Sequence, residues 1–165
     1  MDKEAQRLEQ WLQRGMHGEM AYMERNFDKR TDPRLLVEGA KTVVSLVFNY
    51  FPSKNYFENA DFKIARYAFG EDYHHVLKDK LKTLLKFINE SITETNGRCF
   101  VDSAPVLERD WALRSGNGWV GKNSLMIHPR KGSYFFLAEL IIDLEVEYDQ
   151  PFSKNYCGSC TRCID

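Results

Sequence analysis

Thr42-Val43-Val44-Ser45-Leu46-Val47-Phe48 is a β-branched, apolar run and reads as a buried strand. Phe51-Pro52-Ser53-Lys54-Asn55 breaks it. The clearest helix follows, from about Asp72 to Thr95, with Leu77, Leu81, Leu84, Leu85, Ile88 and Ile92 forming one apolar stripe at helical spacing. Asn96-Gly97 is expected to stop that helix.

Outward from this pair the pattern keeps alternating. Lys3 to Arg14 reads as a helix ended by Gly15 and Gly18, and Asp32-Pro33 opens a short helix through Leu36. Cys99 to Val101 reads as a short strand aimed at Asp102, and Pro105 to Arg114 as a helix. Ser124 to His128 and the run from Ser133 read as strands around a Pro129-Arg130-Lys131-Gly132 turn. Ile142-Asp143-Leu144-Glu145-Val146-Glu147 alternates as a half-buried strand does. Helices interleaved with short strands predict an α/β sandwich, a mixed β-sheet with flanking helices. Residues 1–150 are expected to form this domain and residues 151–165 to begin a second one.

The 165 residues fit one domain, and 43% hydrophobic with 13% aromatic content supports a packed core. A net charge of -1 makes no global electrostatic case for nucleic-acid binding. No apolar run approaches the roughly 18–20 residues of a membrane span, so no membrane is expected. The cysteines do not form a secreted disulfide framework, which points to a reduced cytoplasm.

Gly116-Asn117-Gly118-Trp119-Val120-Gly121 matches G-x-G-x-x-G, but a dinucleotide fingerprint needs a strand before it and a helix after it. Here the order is reversed, and the nicotinamide reading is rejected. The glycines let backbone approach either a ligand or a neighbouring element. Asp102 either caps a helix or, with Ser103 as cap, points into a cleft at a strand end. Lys122 and Asn123 are either plain turn residues or a polar pair lining that cleft. Adjacent His74 and His75 point about 100° apart on a helix, a poor metal site.

Cys157, Cys160 and Cys163 recur at the spacing that opens the ferredoxin signature C-x2-C-x2-C-x3-C-P. The fourth ligand would fall beyond Asp165, so the chain is expected to be a fragment of a longer protein. A single knuckle with a third thiol favours iron–sulfur over zinc.

Together these pieces resemble the tRNA epoxyqueuosine reductase family. The resemblance rests on Gly18-Glu19-Met20-Ala21-Tyr22-Met23, Asp32-Pro33-Arg34, Ala65-Arg66-Tyr67-Ala68 and Asp72-Tyr73-His74. It continues through Asp102-Ser103-Ala104-Pro105-Val106-Leu107-Glu108-Arg109, Gly118-Trp119-Val120-Gly121-Lys122-Asn123, Gly132-Ser133-Tyr134-Phe135-Phe136-Leu137 and Cys157-Gly158-Ser159-Cys160. It implies a flavin-reductase-like, cobalamin-binding domain and an enzyme reducing the epoxide of epoxyqueuosine to queuosine at the tRNA wobble position. It also implies cobalamin and two 4Fe–4S clusters as cofactors, tRNA and an external electron donor as partners, a monomer, and a cytoplasmic location. The family's general acid falls on Asp102. Arg25, Arg66, Tyr67, Asp102, Lys122 and Asn123 are the candidates to hold the cofactor or substrate, with Met126 and Leu137 packing on the corrin ring and Cys157, Cys160 and Cys163 as cluster ligands. Alternatives are a non-catalytic iron–sulfur electron-transfer protein or a cobalamin-binding chaperone.

Overall fold

A computed structural model describes residues 2–52 and 61–165. Part of the expected break at residues 51–55 lies outside the described residues. The chain opens with α1 (Asp2–Gln13), then two short helices, α2 (Ala21–Arg25) and α3 (Phe27–Thr31). A single 3-10 turn, Pro33–Leu35, starts on Asp32, whose side chain accepts the Arg34 amide. Proline sits in that first turn, where its missing N–H costs nothing.

Three strands make the main sheet: β1 (Thr42–Asn49), β2 (Gly97–Phe100) and β5 (Phe135–Ile142), in the order β1-β5-β2. A small second sheet pairs β3 (Trp119–Val120) with β4 (Met126–Ile127). Between β1 and β2 runs α4 (Tyr73–Ser91), and α5 (Glu108–Arg114) follows β2.

The sandwich expected from the sequence is present, but not its mixed sheet. The helical crossover lets β1 and β2 run the same way. β5 then inserts between them in the opposite direction, so both described pairings of the main sheet are antiparallel.

Period-2 alternation sends the side chains of β5 to two helical layers. Ala138, Leu140 and Ile142 meet Leu77, Leu81 and Ile88 of α4. On the other face Ile141 packs with Val37, Phe100 and Val106, and Phe135 with Met126 and Ala112 of α5. Both faces are covered, which is why β1 and β5 carry so few polar residues. Among the described residues, no helix is long and apolar enough to cross a membrane.

Element ends differ from expectation for local reasons. α4 stops at Ser91, because Asn89 Oδ1 accepts the Thr95 amide at 2.7 Å and turns the chain; Gly97 then begins β2 instead of ending the helix. α5 starts at Glu108, later than Pro105, after a loop in which Ser103 caps nothing. Ile142 to Glu147 is not a strand beyond Ile142. The Asp143 carboxylate instead takes the Asn96 amide and side chain at 2.9 and 3.1 Å, and β1 begins only at Thr42, leaving residues 143–147 without a ladder partner.

Within the α4 stripe, Leu81 is fully buried whereas Leu84 only flanks the cluster. Leu84→Ala is therefore expected to fall toward the low end of large-to-small core costs, about 2 kcal/mol. Denaturant titration checks this, and a loss above about 4 kcal/mol would contradict the packing.

Candidate active site

Asp102 stands two residues beyond β2, at the edge of the sheet, with φ at 55°. Aspartate is among the few residues that tolerate this left-handed conformation. Two contacts hold it. Its amide donates to Glu108 Oε1 at 2.6 Å, and its Oδ2 accepts the Tyr73 hydroxyl at 2.7 Å. So Asp102 is not the helix cap; Glu108, at the start of α5, reaches back to the Asp102 backbone.

Tyr73 and His74 come from the first turn of α4. Asp72 caps that turn, its Oδ1 accepting the His74 amide at 2.9 Å. The Tyr73 ring stacks on Phe136 of β5 at 3.9 Å and on His74 at 4.1 Å. His74 thus lies between two carboxylates: Nδ1 is 2.8 Å from Asp72 and Nε2 is 3.6 Å from Asp102. Burial, reinforced by donation to Asp102, holds the Tyr73 phenol well above its ordinary range, so it remains a donor.

Beneath this group a buried carboxyl lies next to a half-buried one, Glu108. Glu139 of β5 is fully buried, and Ser45 of β1 donates to its Oε1 at 3.3 Å. Its Oε2 is buried without a hydrogen-bond partner, and its acidic neighbour is Glu108, which burial raises too. Burial and the neighbouring Glu108 push Glu139 up to about 9. In its neutral form one carboxyl can donate to the other.

Such a pair has a pH signature. A carboxyl with a raised folded pKa binds more protons folded than unfolded, so stability falls as pH rises from the unfolded value of 4.5 toward about 9. Glu139→Gln mimics the neutral form and should flatten that decline. Urea titrations at mildly acidic and mildly alkaline pH measure it. A difference between wild type and variant that does not change with pH would mean Glu139 does not titrate in this window.

A cavity of about 730 Å³ opens beside Asp102, between α2–α3 and residues 102–110. Of the residues expected at the site from sequence, it takes in only Asp102. Arg25 is exposed at the end of α2. The Arg66 guanidinium lies 4.4 Å over the Phe51 ring, and Tyr67 is exposed next to it. Asn123 Oδ1 accepts the Leu125 amide, a turn contact. Met126 is buried in the α5 cluster, with Leu137 packed against it.

Lys122 faces the cysteines instead, its Nζ donating to the Cys160 carbonyl at 3.0 Å. Trp119 Nε1 donates to Cys157 Sγ at 3.3 Å, which with the Lys122 contacts holds that thiol below its usual range. Trp119 also stacks on Phe152 and meets Tyr156 edge-on. Glycine serves a neighbouring element here. A Cβ on Gly118 would overlap the Ile127 carbonyl, so its absence lets β3 and β4 meet. The Gly118–Asn123 turn thereby carries the cysteine segment. The thiol chemistry suits a metal cluster, but among the described residues no three potential ligands gather closely enough for one ion.

Tyr73, His74, Glu108 and Glu139 were missed as site residues. An Asp-capped helix start carrying Tyr-His was a legible signal for the first two. A lone glutamate inside Phe135-Phe136-Leu137-Ala138-Glu139-Leu140-Ile141-Ile142 was the signal for Glu139.

A family model described as epoxyqueuosine reductase QueG, DUF1730, matches residues 30–103. An epoxyqueuosine reductase of Cyclobacterium marinum is 61% identical over the whole of this chain, which covers 54% of that protein. The chain belongs to the epoxyqueuosine reductase family. It spans about half the length of the curated relatives it matches. Among solved structures, an epoxyqueuosine reductase crystallised with an epoxyqueuosine-modified tRNA-Tyr stem loop superposes with a TM-score of 0.84 at 32% identity, covering 99% of this chain and 44% of that one. The family enzyme from Bacillus subtilis, described with an aspartate-bearing catalytic loop swung out of the active site, gives 0.82 at 31% identity over the same shares.

Proposed function

We propose that this chain supplies the aspartate-bearing part of an enzyme that reduces the epoxide of epoxyqueuosine in tRNA to queuosine, with cobalamin and iron–sulfur clusters as cofactors. The observation that carries this reading is the fixing of Asp102 at a cavity rim by Tyr73 and Glu108, in a chain of this family.

Opening an epoxide leaves an oxygen that needs a proton, and Asp102 Oδ is the atom to deliver it. Glu108 sets the Asp102 backbone, and Tyr73 sets its carboxyl. His74, paired to Asp72 on one side and near Asp102 on the other, offers a route for returning the proton from solvent.

Phe51 and Tyr134 expose ring surface beside Arg66 and Tyr67. An apolar wall edged by a cation and a phenol fits one face of a corrin and its amide rim, so Arg66 and Tyr67 would hold cobalamin there. When bound, cobalamin supplies the electrons for reduction. Cys157, Cys160 and Cys163 would ligate a cluster only after moving together, and no step is assigned to them. With tRNA as substrate, the reaction belongs in the cytoplasm.

Titrating cobalamin into the protein while following its visible spectrum tests the cofactor half of the proposal. A spectral change on binding is expected. No change, with no heat by calorimetry in a protein of the relatives' full length, would favour an electron-transfer role.

A further inference from the structure

The lining of the Asp102 cavity also holds a cation. Arg30 of α3 lines it with Tyr22 and Asn26 and is only 9% exposed. Its Nε is buried without a hydrogen-bond partner, and its guanidinium makes no ion pair with any described carboxylate. The nearest compensation is the Tyr22 ring, 5.9 Å from the guanidinium carbon. Burial lowers the Arg30 pKa, yet an arginine stays charged in a protein. A buried cation without a counter-charge is unfavourable until an anion arrives.

The carboxyls that line the cavity do not supply that anion. Asp102 is engaged by Tyr73, and Glu108 by the Asp102 amide. Asp110, the remaining carboxyl of the lining, is raised by burial and has Arg109 near it. The cavity therefore suits a ligand that brings one anionic group to Arg30 and an oxygen-bearing group to Asp102. Its volume of about 730 Å³ suits a single nucleotide.

We infer that Arg30 is the seat of a phosphodiester monoanion, the backbone phosphate flanking the nucleotide whose base is presented to Asp102. The planar donor fork of arginine matches the two free oxygens of such a group. This assignment rests on the tRNA reading above. Cobalamin also contains one phosphodiester, in its nucleotide loop, so the test separates the two sources.

The experiment uses the chain itself and follows the Arg30 Nε–H resonance by NMR. Guanylyl-uridine, a dinucleoside with one phosphodiester, should shift that resonance, and its uncharged methylphosphonate analogue should not. Arg30→Gln should weaken guanylyl-uridine binding by about tenfold or more, the loss expected for one charge-assisted hydrogen-bonded pair. Arg30→Lys, which keeps the charge but not the fork, should fall between. Circular dichroism establishes that both variants are folded, and the wild-type titration stands whether or not they are.

An unmoved Arg30 resonance, equal binding of the uncharged analogue, or wild-type affinity in folded Arg30→Gln overturns the site. If cyanocobalamin moves the resonance while cobinamide, which lacks the nucleotide loop, and guanylyl-uridine do not, the nucleotide assignment is overturned in favour of the cofactor. None of these titrations involves turnover. A family enzyme that failed to reduce epoxyqueuosine would remove the proposed function and leave the Arg30 result standing.

Discussion

Asp102→Asn is expected to lower epoxide reduction by about 100- to 10,000-fold, the usual cost of losing a positioned general acid. The measurement belongs in a protein of the relatives' full length acting on epoxyqueuosine tRNA. The substitution is selective because neither contact that holds the residue needs the acid. The Asn carbonyl still accepts the Tyr73 hydroxyl, and the bond to Glu108 is made by the backbone. Asparagine tolerates the left-handed φ as well as aspartate does. Cobalamin affinity should stay near wild type, so the loss would report proton delivery and not a displaced loop. Near-normal turnover would remove Asp102 from the chemistry and leave it as a structural residue at the sheet edge.

Leu81→Ala should cost about 2–5 kcal/mol of unfolding free energy, toward the upper half of that range. Leu81 is 0% exposed and sits where α4 meets Ala138, Leu140 and Ile142 of the central strand. The cavity left behind is closed on one side by strand backbone, which cannot collapse into it, so the cavity adds to the lost transfer energy. Urea unfolding, with the slope checked for constancy, measures it. A cost under about 1 kcal/mol would mean that α4 is loosely seated.

How much of this was legible follows from the range of the forces involved. Helical period and β-branched runs are local, so α1, the Pro33 turn, β1 and the α4 stripe were all readable, to within a few residues at their ends. Strand pairing is not local. Nothing in Phe135 to Ile142 says that it lies between β1 and β2, and the expected mixed sheet failed on that point. Nor does Trp119-Val120 advertise a partner at Met126-Ile127 seven residues later.

The candidate site shows the same division. Asp102 was found through a contiguous motif. Its partners come from α4, α5 and β5, and only packing brings them together. Glu139 stands in a run that reads as a strand, and only packing puts Ser45 and Glu108 beside it. Lys122 reads from sequence as either a turn residue or part of the cleft, and it reaches the Cys160 carbonyl.

The placement of β5 also bears on how the chain comes to fold. Neither β1 nor β2 has a described hydrogen-bonded partner other than β5, the last strand of the sheet to be synthesised. During translation β1 must therefore wait, its Val43-Val44 and Leu46-Val47-Phe48 apolar, while about ninety further residues leave the ribosome, because Phe48 pairs with Phe136. Closing a loop of that length is slow, and an unpaired apolar strand is open to the wrong neighbour meanwhile. α4, which forms from local contacts, can shelter β1 in that interval. Any shortened product ending before Phe135 would keep two unpaired strands and belong to the cell's proteases rather than to its enzymes.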